Sequence, residues 1–170
     1  MQKFFIIIIA TLFITSCSQS TSTQTGKITT ARTNVTIDAS RWDVTDYKGL
    51  VALQCKPRRC SSFERIVFLP TIKSKLVYKG FSENSINNEQ AKRLVARLVP
   101  ERVNVRSASV RKSGNNYVIN ANFDTGYTGG TLKNVGRIVI EPTRYYGVVG
   151  VSPSRGTSRR LMNTGFRNRR

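Results

Sequence analysis

Apolar positions alternate most cleanly from Tyr117 to Phe123, where Tyr117, Ile119, Ala121 and Phe123 interleave with Val118, Asn120 and Asn122. Side chains of a strand point to opposite faces in turn, so this period of two predicts a strand with one apolar face. Upstream, Val103 and Val105, then Ala108 and Val110 after a shift of register, predict a partner strand across the turn Lys112-Ser113-Gly114-Asn115-Asn116. Downstream, Leu132 to Ile140 and Tyr145 to Val151 predict a hairpin about Glu141-Pro142-Thr143, with Gly126 to Gly130 as a loop before it. Compact apolar runs at Gly49–Cys55 and Phe63–Leu69, the second stopped by Pro70, read as strands covered on both faces. Lys75 to Tyr78 reads as a shorter strand, Asn34 to Ile37 as another, and the stretch around Trp42, Val44 and Tyr47 as a turn in which Trp42 anchors the core.

Helical spacing occurs once with force. Ala91, Leu94, Val95 and Leu98 recur at i, i+3, i+4 and i+7 between Asn88 and Val99, with Lys92, Arg93 and Arg97 elsewhere on the wheel. Asn87 or Asn88 can cap its start, Glu89 suits the positive N-terminus, and Pro100 stops it. One helix and about seven strands predict a small α+β domain over residues 27–151 with a mainly antiparallel sheet. Ser152 to Arg170 carries six arginines, no acid and no evident apolar period. It is predicted to be a disordered basic tail whose deletion would leave folding unchanged.

The N-terminus changes the picture. After Lys3, Phe4 to Ile14 is apolar apart from Thr11, the length of a secretory h-region and too short to cross about 30 Å of hydrocarbon as a helix. Ile14-Thr15-Ser16-Cys17 resembles a bacterial lipobox. The resemblance implies a signal peptide over residues 1–16, cleavage before Cys17, and acylation of Cys17. Ser18, in place of the aspartate that marks inner-membrane retention in that family, implies the outer membrane facing the periplasm. Ser18 to Gly26 has neither charge nor apolar side chain and reads as a flexible tether.

Lys3 aside, the formal charge of +19 becomes +18, and a charge this large attracts polyanions. The partners expected are the membrane through the N-terminal lipid, and an anionic envelope component: lipid, cell wall or an acidic protein. The chain has no histidine, which excludes histidine-based general bases, triads and metal ligands. With Cys17 lipidated, Cys55 and Cys60 are left to form a disulfide, as two cysteines in an exported chain commonly do.

If strands 50–55 and 60–69 pair, Cys55 and Cys60 face each other across Lys56-Pro57-Arg58-Arg59. Lys56, Arg58 and Arg59 then project from a rigid tip suited to phosphate or carboxylate. Arg155, Arg159, Arg160, Arg167, Arg169 and Arg170 are the second set of candidate anion contacts. Other motifs lack their context. Gly126 to Gly130 precedes a strand rather than a phosphate-binding helix, and Ser109-Val110-Arg111-Lys112 matches S-x-x-K at a strand end without its companion motifs.

Nothing calls for a catalytic residue, a metal or a cofactor. The reading is a membrane-anchored envelope lipoprotein, non-enzymatic, acting as an accessory or assembly component of an envelope or secretion complex through a basic surface. Nucleic-acid capture in DNA uptake or transfer is the alternative, and an enzyme on an envelope polymer ranks behind it.

Overall fold

A computed structural model describes residues 27–30, 33–38, 40–47, 50–60, 63–73, 75–83, 86–98 and 103–169. Cys17, the tether and Arg170 lie outside them. The alternating segment is strand β7 (Asn116–Tyr127), and it pairs antiparallel on one side with β6 (Val103–Ser113) and on the other with β8 (Gly130–Ile140). The register shift read in β6 is a bulge between Val105 and Ser107. The loop read at residues 126–130 is shorter than expected. Tyr127 pairs with Gly130, so the turn is Thr128-Gly129, and Gly129 and Gly130 take φ of 107° and 152°, which a side chain would resist.

β8 turns through residues 141–143 into β9 (Arg144–Val151), which pairs with β5 (Arg65–Lys73), followed by β4 (Leu50–Cys55) and β3 (Trp42–Tyr47). The result is one domain built on a seven-stranded antiparallel sheet in the order β3-β4-β5-β9-β8-β7-β6. β1 (Lys27–Thr30) and β2 (Thr33–Asp38) form a separate two-stranded hairpin. The region around Trp42 is thus a strand rather than a turn. Pro70 does not end β5. It falls where the β5–β9 register shifts between Leu69 and Ile72, and an irregularity of that kind tolerates a missing N–H.

Three helices cover the sheet among the described residues, where one was expected. Lys75 to Tyr78 begins α1 (Lys75–Glu83) instead of a strand. Val77, Tyr78 and Phe81 share its inner face, and Tyr78 and Phe81 each meet Tyr117 with ring centroids 5.5 Å apart. α2 (Asn88–Leu98) is the helix read from the sequence. Its cap is Asn87: Gln90 N–H donates to Asn87 Oδ1, and Asn87 N–H donates to Gln90 Oε1, both at 2.9 Å, a reciprocal capping box. Asn88 instead accepts from the Val110 amide, tying the helix to β6. α1 and α2 pack on the sheet face of Ile119, Ala121 and Ile140.

The expected disordered tail is helix α3 (Arg155–Asn168), lying over β9, β8 and β5 on the opposite face. Ser158, Leu161, Met162 and Gly165 are its buried stripe. A Cβ on Gly165 would come within 2.5 Å of Val148 and 2.7 Å of Ile66, so helix and sheet meet through glycine at that point. Leu161 joins Trp42, Val51, Leu53, Ile66, Phe68 and Val148 in a second core, which confirms Trp42 as a core anchor.

Candidate anion-binding groove

The polar face of β7 is turned to the side of the sheet on which α3 lies. Asn120 pairs in register with Ser109 and Arg137, and Asn122 with Ser107 and Val135, so these positions share the face that carries α3. Because α3 lies over β9, β8 and β5, an open groove forms where the helix meets β8. Arg137, Arg160, Asn163, Thr164, Phe166 and Arg167 line a space of about 480 Å³ there. None of the six is acidic.

Arg137 is held in place from two sides. Its Nε donates to Asn120 Oδ1 at 2.8 Å, and its guanidinium sits 5.4 Å from the centre of the Phe166 ring. Burial lowers its pKa from the usual arginine value, and the like charge of Arg111 lowers it further. Such a cation favours an anion that neutralises both arginines. Arg160 and Arg167 are exposed on α3 about two helical turns apart, so with Arg137 two elements present guanidinium groups to one space.

Beside the first turn of α3 lies a different arrangement. Asp124 is 5% exposed and accepts from Arg106 at 2.8 Å, Lys133 at 3.1 Å and Arg155 at 2.7 Å. Burial pushes its pKa up, but the hydrogen bonds from Arg106 and Lys133 and the attraction of Lys133 and Arg155 outweigh that and hold it below the usual carboxylate range. Its three partners cover it, and the carboxylate stays ionised. The first turn of α3 has no acid of its own, so β7 supplies the negative charge its dipole favours.

The arginines read from the sequence therefore divide by role. Arg160 and Arg167 reach the groove, and Arg159 is exposed on the same helix. Arg155 is committed to Asp124, and Arg169 to the sheet backbone. Arg58 and Arg59 are exposed on the tip between β4 and β5, where Lys56 lies 3.8 Å from Asp43. Arg111 and Arg137 were missed because they lie far apart in sequence and only strand pairing sets them on one face. The available signal was the period of two that sets Asn120, Asn122 and Arg137 on one polar face.

Cys55 and Cys60 are disulfide-bonded with Cα atoms 5.9 Å apart, but they are not cross-strand partners. Gln54 pairs with Arg65 and Cys55 N–H bonds the Glu64 carbonyl, so the loop is longer than four residues. Cys60 sits in a turn whose Arg59 and Cys60 amides both donate to the Lys56 carbonyl. Glu64 lies close to both sulfurs, yet oxidation leaves no thiolate there to bind a metal. No family model matches this chain, and no curated protein matches it.

Proposed function

We propose that this protein is a lipid-anchored, non-enzymatic component of a bacterial cell envelope that holds an anionic partner in the groove between α3 and β8. The observation that carries the reading is the convergence of Arg137, Arg160 and Arg167 on one open space, with Arg111 charging it from β6. Guanidinium groups fixed on a sheet and a helix pair bidentately with phosphate or carboxylate. The lipobox-like Ile14–Cys17 supports anchoring by acylated Cys17 in the outer membrane, and the +18 balance supports a polyanionic partner.

The test is co-sedimentation with phosphatidylglycerol vesicles, cell-wall fragments and single-stranded DNA across a salt series. Arg137→Gln with Arg160→Gln should weaken binding to the true partner class and flatten its salt dependence. Equal binding by the double variant to all three would refute the groove. Preference for DNA, with a slope that scales with phosphates contacted, would turn the reading to nucleic-acid capture.

A further inference from the structure

The opposite face of the sheet holds a partly open, mainly apolar pocket of about 130 Å³. Its walls come from β4 to β9 and α2, with Ala52, Val67, Ile119, Ala121, Val149 and Val95 among them. It exists because the sheet places small residues at its centre. Gly136 pairs with Ala121 on one side and Val149 on the other, and Phe123 and Val149 already stand 3.3 Å and 3.5 Å from where a Cβ on Gly136 would sit, so the space is bounded by Ala52 and Ala121 rather than left by the glycine. Cavities of about 150 Å³ accept a benzene-sized body, so this one has room for about six carbon atoms.

Three polar side chains, Arg65, Asn134 and Thr125, interrupt the apolar lining, and they lie at one end. Arg65 pairs with Val151, and the Lys133 amide bonds the Ser152 carbonyl, which sets Asn134 on the other side of Val151. Asn134 is fully buried and its amide nitrogen donates to Thr125 Oγ1 at 2.9 Å, while Oδ1 has no partner among the described residues. Turning the amide over would only exchange which end is orphaned, and an orphaned buried polar atom destabilises the fold unless a ligand satisfies it. Arg65 donates from Nε to the neutral Gln54 Oε1, one of its five donors. Burial lowers the Arg65 pKa, so the group sits where an anion would be welcome.

We infer that this cavity is a binding site for a short-chain carboxylic acid, its carbon chain among Ala52, Val67, Ala121 and Val149 and its carboxyl group between Arg65 and Asn134. The carboxylate accepts from the Arg65 guanidinium, and the second oxygen meets the Asn134 amide, turned to donate. The chain replaces empty space against the apolar walls.

Calorimetric titration of the purified full chain with straight-chain acids from butanoate to decanoate tests this. Affinity should rise about fourfold per added carbon up to about six carbons and then level off. Arg65→Gln should weaken hexanoate about tenfold or more and leave 1-hexanol unchanged. Ala52→Leu should abolish binding by filling the cavity, with Val67→Phe as the second filling variant if the first does not fold. No heat for any acid in the wild-type protein, affinity independent of chain length, or equal hexanoate binding by Arg65→Gln would each overturn the inference. Dihexanoyl phosphatidylglycerol binding more tightly than hexanoate would overturn it in favour of a lipid tail.

Discussion

Arg169 donates from Nη1 to the carbonyl oxygen of Leu69 at 2.9 Å, across 100 residues of sequence. The same nitrogen reaches the Gly147 carbonyl at 2.8 Å, and Nη2 reaches Thr71 Oγ1 at 2.8 Å. These carbonyls lie where the β5–β9 register shifts, so the guanidinium replaces ladder bonds lost at the irregularity. Burial lowers the Arg169 pKa to about 10, and the ring of Tyr146 lies 4.7 Å from the guanidinium carbon. The last turn of α3 is thereby tied to the sheet.

Arg169→Ala should destabilise the fold by about 1.5–3 kcal/mol, the range for hydrogen bonds that involve a charged group. Lysine should restore little, because it cannot span two carbonyls and a hydroxyl in one plane. Urea denaturation of the three proteins checks both statements. Deleting residues 152–170 should unfold the domain, against the expectation drawn from composition, because Leu161 and Met162 leave with it.

Gly150 faces α3 at its closest approach to the sheet. A Cβ there would overlap the Ser158 carbonyl and lie 2.7 Å from the Met162 amide nitrogen, so helix or strand must shift. Gly150→Ala should cost about 1–3 kcal/mol or more, as overpacking does. Gly156→Ala, where only the Ser154 hydroxyl lies near at 3.9 Å, should be neutral or stabilising by comparison. Equal melting temperatures for the two variants would contradict the close packing of α3 on β9.

Asp124 predicts a pH dependence with a definite sign. Its pKa is depressed in the folded state, so its contribution is fully present above the unfolded carboxylate pKa near 3.9 and fades as pH falls through the lower folded value. Asp124→Asn should lose about 1–2 kcal/mol between pH 5 and 8, given that Arg106, Lys133 and Arg155 are partly solvent-screened. The difference between the proteins should shrink steadily below about pH 4. Denaturation at pH 7 and at acid pH is the check, and a difference that persists at pH 2 would contradict the ion-pair account.

The disulfide closes a short loop, Cys55 to Cys60, with a sequence separation of 5. Chain-entropy reasoning gives about 2 kcal/mol for so small a loop. Replacing both cysteines by serine should lower stability by that order and leave anion binding intact, because Arg137, Arg160 and Arg167 lie on other elements. Melting with and without reductant, compared with the double variant, measures it.

Sequence alone determined what depends on neighbours along the chain. The period of two in β7, the capped helix from Asn88, the bulge in β6 and the hairpin through residues 141–143 were all legible, because local backbone preference and burial agree there. Tertiary structure decided the rest. Ser158, Leu161, Met162 and Gly165 make a buried stripe in which half the positions are not hydrophobic, and only Gly150, Ile66 and Val148 opposite them make α3 a packed helix. Val77 and Tyr78 are strand-forming residues drawn into α1 by Tyr117 and the neighbouring core. The division of the arginines is of the same kind. Charge along the chain marks attraction to anions, but whether Arg155 and Arg169 hold the fold while Arg160 and Arg167 face the groove depends on which carboxylate, carbonyl or open floor the sheet sets beside each one.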